Sequence, residues 1–319
     1  MKKIDIIKEC EKAGSIGIAG HIRPDGDAIG ASMGLYLYLL KVFPEKEICV
    51  YFDEPPSIFG GISRICDVDS EYKDHAPFDV FFALDSVSDR LSGAEKYFRQ
   101  AAKTINIDHH ESNALGSGMV NYVEPYASST CELLYILMDK KYIDKDIATA
   151  LYIGIVHDTG VFHYSCTSPR TMKIGAELME YGFDFPSIID KTFYEKTYLQ
   201  NQLIGRALTE SILFMEGKCI ACRIDRKTMD FYDAKHDDLD GIVNQLRITR
   251  GVECAIFMYE LTPGKYKVSL RSNGLVNVAK IAQAFGGGGH ERAAGCEING
   301  NFYDALNSIS EGIAKQISF

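Results

Sequence analysis

The stretch Gly20–Gly30, GHIRPDGDAIG, decides the reading of the chain, because it sets His21, Asp25 and Asp27 in one short loop. It is preceded by SIGIAG, an apolar run that predicts a buried strand, and followed by AIGASMGLYLYLLKVF, whose apolar spacing predicts a helix. A loop where a strand hands over to a helix lies, in an open α/β sheet, at the edge where sites form. The loop acquires chemistry only if other strand ends deliver partners to its carboxylates and imidazole.

They do. EICVYFD predicts a second strand, FDVFFALDS a third that ends at Asp85, and KTINIDHH a fourth that ends at Asp108, His109 and His110. Nearly continuous apolar strands alternating with helices predict a mostly parallel sheet covered by helices on both faces. SSTCELLYILMDKK opens with a capping-box pattern, Ser129 and Glu132, and predicts a helix. DKDIATALYIGIVHDTG predicts a buried helix finishing near Asp158, and Ser168-Pro169 opens another that stops at Gly182. In a parallel sheet the strand C-termini share one edge, so four segments converge their acids and imidazoles there. Carboxylates at close range raise one another's pKa and are costly to desolvate, and divalent cations relieve both problems. The donors are oxygen-rich with some imidazole and lack thiol, which favours Mn²⁺ or Mg²⁺ over a structural zinc.

Composition narrows the classes. The chain has 319 residues, 46% hydrophobic, enough for roughly two domains. A net charge of −10 argues against an extended surface for duplex DNA, since such binding needs many Lys and Arg contacts to phosphates. Nine cysteines without a framework, including Cys219 and Cys222 on a strand where they face opposite sides, predict buried thiols in a reducing cytoplasm. The N-terminal MKKIDIIKECEKAG is broken by charge and lacks the apolar core of a signal peptide, and no window approaches the ~20 apolar residues of a membrane span. The expectation is a cytoplasmic protein with no membrane partner.

From residue 184 the character changes. FDFPSIIDKTFYEKTYLQNQL predicts a helical connection, and a second unit follows with strands KCIACRID, CAIFMYEL and YKVSLRSN and the helix VNVAKIAQAF. TPGK between two of these strands predicts a hairpin. The expected division is a catalytic domain over 1–183, a linker over 184–204 and a smaller α/β domain with a mixed sheet over 205–319. Strand alternation places Ser269 and Arg271 on one face and Val268 and Leu270 on the other, so Arg271 offers a fork-shaped donor for a phosphate. In FGGGGH, read as a loop after a helix, four glycines allow backbone N–H groups to approach an anion, with His290 beside them.

HIRPDGDAIGAS, the Asp of FFALDS, DHH and HDTG resemble, in order, the four motifs of the DHH phosphoesterases, and GGGGHERAAG (Gly286–Gly295) resembles the glycine-rich motif of the DHHA1 domain. The resemblance covers nearly the whole chain, and a two-domain chain of this size is similar to the nano-RNase/pAp phosphatase branch. It implies one cation held by His21, Asp25 and Asp85, and a second by Asp27, Asp85, His109 and Asp158. Both would be Mn²⁺, with Mg²⁺ or Co²⁺ as alternatives. It further implies catalytic roles for Asp108, orienting an imidazole, and for His110, beside the scissile phosphate. Substrate would be bound by Ser269, Arg271, Ser272, Asn273, Gly287, Gly288, Gly289 and His290. The implied reaction is in-line hydrolysis of short RNA oligonucleotides and of 3′-phosphoadenosine 5′-phosphate (pAp) to nucleoside monophosphates, with the substrate in a cleft between the domains. A homodimer is compatible with this reading. Two alternatives stay open: a phosphodiesterase for cyclic dinucleotides or linear pApA, and a nucleotide- or RNA-binding module without turnover. Manganese pyrophosphatases share the first domain's motifs, but the glycine-rich run counts against them.

Overall fold

The structure is a computed structural model that describes residues 3–317. Its contacts divide the chain into two units, the first running to Glu195 and the second starting at Lys196. The segment 184–204 is shared between them.

The first unit begins with α1 (Ile6–Cys10), capped by the Asp5 carboxylate on the Lys8 N–H, and β1 (Ser15–Ala19). Then come α2 (Gly26–Val42), β2 (Glu47–Tyr51), β3 (Val80–Leu84), α3 (Glu95–Gln100), β4 (Lys103–Asp108) and β5 (Val120–Val123). The unit closes with α4 (Thr130–Leu137), α5 (Lys145–Asp158), α6 (Pro169–Met179) and α7 (Phe185–Ile189). The five strands lie in the order β2-β1-β3-β4-β5, and every pairing is parallel. The main core, which includes Ile29, Met33, Leu151 and Ile155, lies on one face of the sheet. A smaller aromatic core of Tyr51, Phe78, Phe81, Tyr97 and Phe98 covers the other. Burial on both faces explains why the central strand VFFAL is continuously apolar.

The second unit contains α8 (Tyr198–Thr209), β6 (Ile212–Phe214), β7 (Cys219–Ile224), α9 (Arg226–Tyr232), α10 (Ile242–Arg247), β8 (Cys254–Thr262) and β9 (Lys265–Ser272). It ends with α11 (Val278–Ala284), β10 (Gly288–His290), β11 (Ala293–Asn299) and α12 (Phe302–Ala314). Its six-stranded sheet has the order β10-β11-β9-β8-β7-β6, with β7 and β8 parallel and the other pairs antiparallel. The hairpin over TPGK forms between β8 and β9. Cys219 and Cys222 enter two separate cores on opposite sheet faces. Among the described residues, no helix is long and apolar enough to cross a membrane.

Three local expectations are corrected. The short strands β5 and β6 were not anticipated, because runs of four and three residues carry too little alternation to read. The glycine run is not all loop: Gly288–His290 pairs with β11. The capping box at α4 is half made. Ser129 accepts from the Glu132 N–H, but the Glu132 carboxylate is buried against the Ser128 and Thr171 hydroxyls and Arg170 instead.

The contact that matters most for the site is between α2 and α5. Both helices place glycine there: a Cβ on Gly30 would lie 2.5 Å from the Ala150 carbonyl oxygen and 3.0 Å from the Gly154 nitrogen. A Cβ on Gly154 would meet Cys131 Sγ at 2.2 Å and Asp27 Oδ1 at 2.8 Å. The missing side chains let the helix that ends at Asp158 approach Asp27. Gly30→Ala would gain about 1 kcal/mol of helix propensity but force the two backbones apart, at about 1–3 kcal/mol for overpacking. A lowered urea midpoint is expected; an unchanged or raised midpoint would show that the helices have room.

Candidate active site

The C-terminal edge of the parallel sheet gathers the residues that the motifs singled out. Asp25 is the N-cap of α2: its Oδ1 accepts from the Asp27 and Ala28 N–H groups at 3.0 and 3.1 Å. Its second oxygen faces His21 Nε2 at 3.6 Å, and that nitrogen also lies 3.6 Å from Asp85 Oδ2. Asp27, in the first turn of the same helix, points into the protein and is fully buried. Two carboxylates two residues apart thus face different directions because one caps the helix and the other lies within its first turn.

Asp27 meets the N-terminus of α4. Its carboxylate accepts from the Thr130 and Cys131 N–H groups at 2.6 and 3.0 Å, the positive end of a helix. The Thr130 hydroxyl donates to Asp85 Oδ1 at 3.2 Å. Asp85 follows β3 with φ of +54°, a left-handed conformation that Asp tolerates better than most residues. Its side chain is only 2% exposed.

His109 Nε2 lies 3.0 Å from Asp158, 3.4 Å from Asp85 and 3.9 Å from Asp27. In both His21 and His109 the Nδ1 faces a backbone carbonyl, of Ile22 and Ala127 respectively. A carbonyl only accepts, so Nδ1 carries the proton and a neutral ring turns the Nε2 lone pair on the acidic cluster, as in metal-ligating histidines. His110 Nδ1 is 2.8 Å from Asp108 Oδ1. The buried Asp108 also accepts from the His109 and His110 N–H groups and, at 2.6 Å, from Asn113. Asn113 in turn donates to Asn106, whose amide donates to the Ala83 and Ser86 carbonyls.

The electrostatics describe a strained set of acids. Burial opposes charge on His21, yet Asp25 and Asp85 prevail and push it up to about 9. Burial would raise Asp25 too, but His21 and the two helix N–H groups hold it at about 2. Asp27 is pushed well above the carboxylate range by burial and by the charges of Asp85 and Asp158. Burial also raises Asp158, against the pull of His109. His109 is raised, because its carboxylate neighbours outweigh burial. The protein alone therefore stabilises extra protons here, which is the behaviour of a site whose charge is completed by cations. Two triads, His21–Asp25–Asp85 and Asp27–His109–Asp158, bring their donor atoms within 4.8 Å of one another, and Asp85 also joins His109 and His110. The donor chemistry fits divalent cations.

In the second unit, β9 exposes Ser269 and Arg271 partly on one face and buries Val268 and Leu270 on the other. The register sets Ser269, Gly295 and Gly288 on one cross-strand rung, and Arg271, Ala293 and His290 on another. Arg271 is steadied by Asn244 Oδ1, at 3.2 Å from Nε, and by the Leu270 carbonyl. Of the other expected substrate residues, Ser272 and Asn273 spend their side chains on protein partners, while Gly288–His290 are exposed. The Ser272 hydroxyl donates to Glu253, and the Asn273 amide donates to the Val252 and Arg247 carbonyls. The N–H groups of Gly286 and Gly287 bond the Gln283 and Ala282 carbonyls at the end of α11.

Sequence reasoning missed three contributors. Thr130, Asn113 and Glu253 each read as ordinary polar residues. Glu253 Oε1 accepts from the Ser272 hydroxyl and from the Gly274, Leu275 and Val276 N–H groups, and so folds the loop after Arg271 around one buried carboxylate.

A two-unit α/β protein with an acid–imidazole cluster at the edge of a parallel sheet defines a class, and the comparisons place the chain in it: it belongs to the DHH family. Residues 15–155 match the DHH family N-terminal domain, and residues 217–317 match the DHHA1 domain. The chain is 30% identical to the bifunctional oligoribonuclease and PAP phosphatase NrnA of Thermus thermophilus, over 99% of this chain and 95% of that one. It is 27% identical to the protein of the same name from Bacillus subtilis, over 93% of each. A crystal structure of an exopolyphosphatase-related protein from Bacteroides fragilis superposes with a TM-score of 0.86 at 26% identity, covering 97% of this chain and 94% of that one.

Glu253→Ala would leave the Ser272 hydroxyl and the Leu275 and Val276 N–H groups without their acceptor, Gly274 keeping Ser272 Oγ, and should destabilise the second unit by about 2–4 kcal/mol, with Glu253→Gln costing less. Urea denaturation followed by tyrosine fluorescence reads both; equal midpoints for wild type and Glu253→Ala would contradict the role.

Proposed function

We propose that the protein is a metal-dependent phosphoesterase that hydrolyses short RNA oligonucleotides and 3′-phosphoadenosine 5′-phosphate to nucleoside monophosphates. The observation that carries this is the pair of acid–imidazole triads around the buried Asp27 and Asp85. The relatives named as oligoribonucleases and PAP phosphatases, matched along nearly their whole length, support the choice of substrate.

In this reading His21, Asp25 and Asp85 hold one divalent cation, and Asp27, Asp85, His109 and Asp158 hold the other, with Mn²⁺ the first candidate. When bound, such a pair supplies an acidified water and positive charge against the phosphate oxygens. The chain's own residues do the rest. The α4 N-terminus and the Thr130 hydroxyl keep Asp27 and Asp85 aimed. Asp108 fixes the His110 ring through Nδ1 and favours its protonated form. His110 then has a proton to give to the departing ribose oxygen. In the second unit, Arg271 and Ser269 grip a phosphate of the nucleotide, with His290 and the Gly288 backbone on the same cross-strand rungs, while the Gly287 N–H stays with the Ala282 carbonyl. Ser272 and Asn273 act by holding the shape of the loop that follows Arg271.

The substrate class is tested with purified protein, in Mn²⁺ and in EDTA, on pAp, a 5′-phosphorylated RNA dinucleotide and cyclic di-AMP. Cleavage of the first two, lost in EDTA, is the expected result. Turnover of the cyclic compound alone would move the protein to a signalling phosphodiesterase, and binding without turnover would make it a binding module.

Asp27→Asn should lower kcat by about two orders of magnitude or more and lower the melting temperature modestly, because its amide nitrogen would face one of the Thr130 and Cys131 N–H donors. Full Mn²⁺-dependent activity in that variant would contradict the assignment. Arg271→Ala removes a charged hydrogen bond worth about 1.5–3 kcal/mol and should raise KM roughly 10- to 100-fold with a smaller change in kcat. An unchanged KM would remove Arg271 from the site.

A further inference from the structure

A second set of metal-ligand types lies in the first unit away from the acidic cluster. Glu47 and Cys49 are two residues apart on β2, so their side chains leave the same face of the sheet. Glu47 opens the strand, pairing with Ser15 at the opposite end of the sheet from the loop that carries Asp25. His75 reaches them from the long connection that precedes β3, and its Nε2 lies 3.2 Å from Glu47 Oε1. The donor atoms of Glu47, Cys49 and His75 all fall within 4.8 Å of one another.

The histidine is held as a ligand would be. Its Nδ1 is 2.5 Å from the Ala76 carbonyl oxygen, so Nδ1 is the donor, and in a neutral ring the lone pair sits on Nε2. Its ring stacks on the buried Phe78, with centroids 3.9 Å apart and planes within 5°. Imidazole lone pair and carboxylate are both acceptors, and at this separation they need a proton or a cation between them. The sulfur beside them decides which cation. Thiolate with imidazole and one carboxylate is a donor set for zinc, whereas the oxygen-rich cluster at the other edge suits harder ions.

We propose that Glu47, Cys49 and His75 form a separate site for a borderline-soft divalent cation, Zn²⁺ by its chemistry, leaving one coordination position to solvent. Binding exchanges the Cys49 thiol proton for a metal–sulfur bond, and the proton goes to solvent. Without a cation Cys49 is a thiol, since burial pushes its pKa up. An occupied site ties the connection between β2 and β3 to the edge strand. The same connection already meets that strand through the Asp69 N–H on the Val50 carbonyl and through Tyr72 stacked on Tyr51.

Co²⁺ is the probe, because it takes the same donors and shows a near-ultraviolet charge-transfer band only when a thiolate binds it. Full-length protein is stripped with chelator, saturated with Mn²⁺ and titrated with Co²⁺. The expected result is one equivalent of thiolate-bound Co²⁺, displaced by Zn²⁺, with the band absent in both Cys49→Ser and His75→Ala. Glu47→Gln, on an exposed side chain that leaves the core untouched, should weaken Co²⁺ binding about tenfold or more. Retained phosphoester hydrolysis in the variants reports that they fold. If the proposed hydrolysis itself is absent, circular dichroism replaces it, so failure of that reading and failure of this one are distinguishable. No band in the wild type, or a band that survives Cys49→Ser, would overturn the proposal. A band lost in Cys49→Ser but kept in His75→Ala would equally overturn it, as capture by a lone thiol.

Discussion

Four carboxylates, Asp25, Asp27, Asp85 and Asp158, share one edge of a parallel sheet, and two of them are almost wholly withdrawn from water. That is the constraint the rest of the first unit answers. Desolvated acids repel one another and resist ionisation. The protein compensates with what it can place rigidly: the α4 N-terminus on Asp27, the Thr130 hydroxyl on Asp85, and imidazoles aimed through their Nε2 atoms. What these do not neutralise is left to protons or to cations.

The scaffold follows from that need. An all-parallel sheet delivers every strand end to the same edge, so residues far apart in sequence converge without long loops. Glycine at the α2–α5 contact brings the helix bearing Asp158 close enough to Asp27 to share a neighbourhood. Beneath the DHH segment, Asn106 and Asn113 form a buried network that leaves Asp108 one direction to point. The second unit uses the same device at Glu253, where a single carboxylate collects the donors of the loop after Arg271.

Much of this was legible in the sequence. The alternation of apolar strands with helices implied the parallel sheet, and the sheet implied that His21, Asp25, Asp27, Asp85, His109 and Asp158 would meet, as they do. The face shared by Ser269 and Arg271 was readable from period-two alternation alone. What could not be read depends on tertiary contact. The left-handed turn at Asp85 has no signature in FFALDS, and Thr130 looks like a first-turn residue of an ordinary helix. Ser272 and Asn273 resemble ligand-facing polar residues until Glu253, Arg247 and Val252 are seen to take their hydrogen bonds. Glycines 286 and 287 read as an anion cradle, yet their N–H groups close a helix, because nothing local distinguishes those two uses.

The most direct measurement is anomalous diffraction at the manganese edge from crystals equilibrated with Mn²⁺. The expectation is two peaks in the first unit, one among His21, Asp25 and Asp85, and the other among Asp27, Asp85, His109 and Asp158. A single peak, or density at neither triad while the protein hydrolyses its substrate, would contradict it.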